Sequence, residues 1–125
     1  MKIYNFGKEV GNPITHYDSN FIMSRILSND APARVGCMHL EANGIIGYHQ
    51  APVPQLLLIV QGEGQVRSGG KNDSAQVIAE VKAGDAIFWE QGEWHETLSL
   101  QGLTAFVIES EEMNPAQFMP EKSEG

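Results

Sequence analysis

Apolar residues fall along this chain in short runs, broken roughly every ten residues by Gly, Asn, Asp or Pro, which is the spacing of a sandwich or barrel. The runs predict strands at 21–27 (FIMSRIL), 34–41 (RVGCMHLE), 45–49 (IIGYH), 55–61 (QLLLIVQ) and 64–67 (GQVR). Four more follow at 76–82 (QVIAEVK), 86–89 (AIFW), 95–100 (HETLSL) and 103–109 (LTAFVIE). Between them lie turn signals: Asn43-Gly44, Gly62-Glu63-Gly64, the stretch 69–73, Gly84-Asp85, Gln91-Gly92 and Gln101-Gly102. No stretch joins helical periodicity to caps, and "NPAQFM" near the end suffices for one turn. The pattern predicts an all-β fold with one domain over 1–125. Its core spans roughly residues 20–110, with an N-terminal strand or arm over 1–19 and a tail over 111–125.

Strand parity sorts the faces. A two-residue hairpin at Asn43-Gly44 would set Met38 opposite His49 and Leu40 opposite Gly47, with His39 facing the other way. A second at Gln101-Gly102 would set Ser99 opposite Thr104, Thr97 opposite Phe106 and His95 opposite Ile108. A single bulge reverses everything beyond it. On this reading Met38, Leu40, Leu57, Ile59, Phe106 and Ile108 wall an interior pocket, with Thr97, Ser99 and Thr104 adding polarity. The opposite face, with Val35 and Cys37, is apolar for an outward surface and predicts a homodimer.

Composition narrows the function classes. Sixteen acids against eight bases give a net charge of −8, with no basic cluster to offset it, which excludes nucleic acid as a partner. No apolar stretch approaches the ~20 residues that span a bilayer, and "MKIYNFGKEV" lacks the apolar segment of a signal peptide. The expectation is a cytoplasmic protein. Cys37, the single cysteine, reads as a small buried hydrophobe rather than a nucleophile.

Four histidines carry the candidate chemistry. His16 sits in the polar loop "ITHYDSN" and reads as solvated, and His39 as a structural mid-strand residue. His49 and His95 each lie at a strand end beside a Gly/Pro-rich loop, where concave sites form. Gln55 opens the strand after "QAPVP" and can meet His49 at one rim. Two imidazoles and an amide oxygen can hold a divalent metal with open positions, the layout of catalytic sites. The alternative is that both histidines only hydrogen-bond to rim groups. Tyr48 and Arg25 are further ligand-contact candidates, Arg25 because a mid-strand guanidinium needs an anion if buried. Glu93 and Glu96 read as solvated charges, and Trp94 as packing at a barrel end or dimer interface.

Two segments resemble the cupin motifs. In 44–62, Gly44, His49 and Gly62 match the first motif, while Ala51 stands where its second His belongs and Gln55 where its Glu belongs. In 84–99, Gly84, Gly92 and His95 match the second motif, with Glu90 replacing its Pro and Ser99 its Asn. The resemblance covers roughly residues 20–110 and implies a single-domain cupin double-stranded β-helix (a jelly-roll barrel), dimeric, with its site inside the barrel at His49, Gln55 and His95. It implies a divalent transition metal (Fe, Mn, Ni or Zn) at a degenerate site, and a small anionic metabolite as ligand. An enzyme and a metal-free, non-catalytic binding or sensing module remain the two competing expectations.

Overall fold

The computed structural model describes residues 1–70 and 76–122. The second half of the predicted turn at 69–73 and the last three residues of the tail lie outside the described residues. The described residues form ten strands: β1 (Lys2–Asn5), β2 (Asn12–Ile14), β3 (Phe21–Met23), β4 (Arg34–Leu40) and β5 (Gly44–Gln50), then β6 (Gln55–Ser68), β7 (Val77–Lys82), β8 (Asp85–Trp89), β9 (Trp94–Ser99) and β10 (Leu103–Glu109). Two short 3-10 turns at Lys8–Val10 and His16–Asp18 interrupt the arm. All strand pairings among the described residues are antiparallel.

The 14-residue strand β6 organises the molecule. Its first half pairs with β8 and β10 in a sheet ordered β1-β8-β6-β10-β4. Its second half pairs with β7 and β9, and β9 in turn holds β5. Gly62-Glu63-Gly64, expected as a turn between two strands, is instead the corner where one strand changes sheets. The register against β10 slips between Thr104 and Ala105, leaving Val60 without a counterpart, and Gly62 follows at φ +86°. A Cβ on Gly62 would lie 2.4 Å from the Gly102 carbonyl oxygen, so both conformation and space demand glycine there.

The two expected hairpins are corrected by the same architecture. Asn43 does turn the chain, at φ 62°, but β4 pairs with β10 and β5 with β9, so the turn links strands of different sheets. The Gln101-Gly102 turn likewise carries β9 across to β10 without pairing them. Two residues suffice for either connection, and turn chemistry does not say which sheet the next strand joins.

Leu103, Ala105 and Val107 therefore enter the interior beside Leu57, Ile59, Val66, Ile87 and Trp89, with Met38 and Leu40 packed against them. Phe106 and Ile108, expected inside, face the other way. Phe106 is 41% exposed and pairs with Cys37 and Leu58, while Ile108 joins a second cluster of Tyr4, Leu56, Leu58, Ala86 and Met119. The run Leu56–Ile59 is buried because its even residues meet that cluster and its odd ones the barrel core. Each such side chain contributes about 2 kcal/mol. Asp85 ties the tail down by accepting from Lys122 Nζ at 2.9 Å, and Pro120 accepts from the Asn5 N–H at 3.0 Å. Cys37, expected buried, is exposed in the single chain, next to Val35 at 65% exposure.

Candidate functional site

His49 and His95 are direct cross-strand partners on β5 and β9. Their arrival on one face depends on a bulge. Ile46 opposes Thr97 and His49 opposes His95, so three steps on β5 match two on β9, and Gly47 and Tyr48 share the place of one residue. A Cβ on Gly47 would meet nothing within 4 Å, so the bulge leaves open space there. The imidazole centroids lie 4.3 Å apart with planes at 55°. His95 is 2% exposed and His49 half-buried.

Backbone carbonyls fix both rings. His49 Nδ1 lies 2.8 Å from the Gly47 oxygen and His95 Nδ1 lies 3.0 Å from the Glu93 oxygen. A carbonyl only accepts, so each Nδ1 carries the proton and each neutral ring keeps its lone pair on Nε2. This is how metal-ligating histidines are commonly oriented. Burial, reinforced by the adjacent His49, holds the His95 pKa below the ordinary histidine value against the opposing pull of the Glu93 carbonyl and carboxylate. The neutral, lone-pair-bearing form is thereby favoured near pH 7.

Gln55 opens β6, buried, opposite both Trp89 and Glu109. Its Nε2 donates to Glu109 Oε2 at 3.3 Å. With its nitrogen turned to Glu109, the amide presents its oxygen elsewhere. Glu109 thus supplies a carboxylate one strand away from the position where the motif would place it. Ala51 follows His49 on the inward face, 1% exposed among Leu57, Ile59 and Trp89. The second motif ligand is replaced by a methyl group inside a packed apolar cluster. Among the described residues no group of three or more His, Cys, Asp or Glu side chains could hold a metal ion, so a metal here would need Gln55.

Sequence reasoning missed two other parts of this end. Trp89 stacks on His95 with centroids 4.3 Å apart and planes at 23°. Its strand is buried on both faces, which hides the alternation that would have marked it as inward. Glu93, expected as a solvated charge, is half-buried: its carboxylate accepts from Ser68 Oγ, the Met1 amine and, at 3.1 Å, the Glu90 N–H. Burial works against that charge, yet these partners hold the carboxyl below the usual range. Glu96 pairs with Arg67 at 3.7 Å.

Of the remaining candidates, Leu57 and Thr97 are buried inside, Met38 packs on the inner core, and Tyr48 sits half-buried in the bulge beside His49. Arg25 is not brought to this interior. Its strand ends at Met23, so the side chain lies beyond it, exposed, with its guanidinium 5.6 Å from the Phe118 ring centre. Phe106 faces outward, as above.

The fold has counterparts among solved structures. A structure of BH2720 from Bacillus halodurans superposes with a TM-score of 0.58 at 26% identity, over 66% of this chain and 65% of that one. An RmlC-like cupin from Shewanella frigidimarina superposes with a TM-score of 0.57 at 19% identity, over 70% and 74%. The chain folds as a small cupin. The CENP-C of Drosophila melanogaster, in a structure bound to CAL1, is a further likeness, with a TM-score of 0.56 at 21% identity over 73% and 71%. Against oxalate decarboxylase of Bacillus subtilis the match spans 22% of the longer protein. The chain covers just under two thirds of the Bacillus halodurans protein. No family model and no curated protein matches the sequence. Cupins of such different kinds share this barrel, so the chemistry must be argued from the histidine pair itself.

Proposed function

We propose that this cupin binds a divalent transition metal, weakly, through His49, His95 and the Gln55 oxygen, and uses that centre to hold a small anionic metabolite inside the barrel. One observation carries the reading: two facing imidazoles, each locked by a backbone carbonyl in the tautomer that points a lone pair away from the strand. Two adjacent imidazole lone pairs suit a cation. All three protein donors are neutral, so the ion keeps its charge and draws an anion into its open positions. If a reaction occurs, the metal would serve as the Lewis acid, and the chain's residues would bind and orient the ligand.

A second reading rests on Ala51. Its methyl, buried in the apolar cluster, marks an interior suited to ligand binding without metal, as in a non-catalytic binding or sensing module. Thermal unfolding separates the two. The metal reading predicts that Zn(II), Ni(II) or Mn(II) raises the Tm of the chelator-treated protein, and that His95→Ala abolishes the rise. Stabilisation by small anions with no response to any metal would contradict it.

The outward face around Val35, Cys37 and Phe106 supports a homodimer built on β4 and β10, and the net charge of −8 disfavours nucleic acid and anionic membrane surfaces as partners. No helix among the described residues is long and apolar enough to cross a membrane.

A further inference from the structure

Trp89 carries a polar group that its surroundings leave unsatisfied. The side chain is 2% exposed, packs within the inner cluster and stacks on His95, yet its Nε1–H finds no hydrogen-bond partner among the described residues. Buried indole N–H groups ordinarily have one. An N–H donates and cannot accept, so a metal ion does not satisfy it; an oxygen does. That donor lies on a ring stacked against one of two imidazoles whose Nε2 atoms carry lone pairs, and on a residue paired across the sheet with Gln55.

We propose that Trp89 is a ligand-binding residue of this site and that the ligand is a small carboxylate, one of whose oxygens accepts the Trp89 N–H. This rests on the reading of the histidine pair as the binding site and names its ligand class. A carboxylate supplies two oxygens about one imidazole width apart. One accepts from the indole N–H, and the other faces the histidines, where it meets a bound dication. The nearby protein carboxylates do not compete for the indole. Glu93 is occupied by Ser68, the Glu90 N–H and the Met1 amine, and Glu109 by Gln55.

Malonate and its neutral isostere malonamide serve as probes, against protein loaded with Zn(II) and against chelator-treated protein. The chain has two tryptophans, so a proton–nitrogen spectrum holds two indole signals, and Trp94→Phe assigns them. Malonate should move the Trp89 indole N–H signal downfield in the zinc-loaded protein. Trp89→Phe, which keeps a ring on His95, should raise the malonate Kd by about tenfold or more, since hydrogen bonds to charged groups are the strong ones. Malonamide should bind at least about tenfold more weakly than malonate. No malonate binding in either form, a Trp89 signal unmoved at saturation, or equal affinity for malonamide would overturn the proposal, and the spectrum decides even if Trp89→Phe does not fold. If zinc does not bind but malonate still moves the Trp89 signal, the metal reading falls and this one stands. If zinc binds through His49 and His95 while Trp89 stays silent, this one falls alone.

Discussion

His95 is held neutral by its surroundings, and that has a consequence for stability. Burial and the neighbouring His49 depress its pKa in the folded chain, whereas the unfolded chain titrates near the ordinary histidine value. The unfolded state therefore takes up the proton first as pH falls. Stability should decline as pH drops through about 6.5 and level off once the native ring is also protonated. Urea unfolding in chelator should show this decline, at no more than about 1.4 kcal/mol per pH unit, and His95→Gln should flatten it. A profile unchanged by that substitution would contradict the account. Ala51 gives a second prediction. Its methyl contacts a filled cluster, so Ala51→His should destabilise the metal-free protein by about 1–3 kcal/mol through overpacking. Unchanged stability in urea would mean that room for the second motif ligand survives. At this scale the sequence was partly legible. His49 and His95 stood out because they sit at strand ends beside Gly- and Pro-rich loops, and Ala51 because it breaks a spacing. Trp89 and Glu93 did not, since one lies in a strand buried on both faces and the other in a turn whose partners, Ser68 and the Met1 amine, are distant in sequence.

Strands were read well and their pairings were not. Runs at 34–41, 76–82, 86–89, 95–100 and 103–109 fall within a residue of β4, β7, β8, β9 and β10, because alternation against a buried face is a local property. The N-terminal strand or arm expected over 1–19 divides into β1 and the short β2, whose bounds no periodic run marks, and β3 stops at Met23 well before the predicted end. Pairing depends on which sheet a strand joins after a two-residue turn, and nothing local encodes that at Asn43 or Gly102. The glycines of the two bulges differ in what they tolerate. Gly62→Ala should cost about 2 kcal/mol or more, from positive φ and from collision with the Gly102 carbonyl. Gly47→Ala, with open space around it, should stay within about 0.5 kcal/mol. Equal losses in chemical denaturation would show that the corner in β6 does not depend on Gly62.

For the molecule as a whole, the outer surface of β4 and β10 is the feature a single chain leaves unexplained. Val35 and Phe106 are exposed there and Cys37 lies between them in register with Phe106. A homodimer through this face predicts that sedimentation gives twice the chain mass at micromolar concentration, and that Phe106→Arg shifts it to the chain mass with the circular dichroism retained. A monomer before substitution would contradict it. The central claim concerns the interior: that three neutral donors in a barrel lacking the motif's carboxylate and second histidine still hold a metal. Elemental analysis of untagged protein, purified without chelator and dialysed against a fixed excess of free metal whose concentration is then subtracted, tests this most directly. The account predicts about one transition-metal ion per chain in the unsubstituted protein and a clear loss in both His49→Ala and His95→Ala. Metal content that survives both substitutions, or none at all after incubation with excess metal, would contradict it.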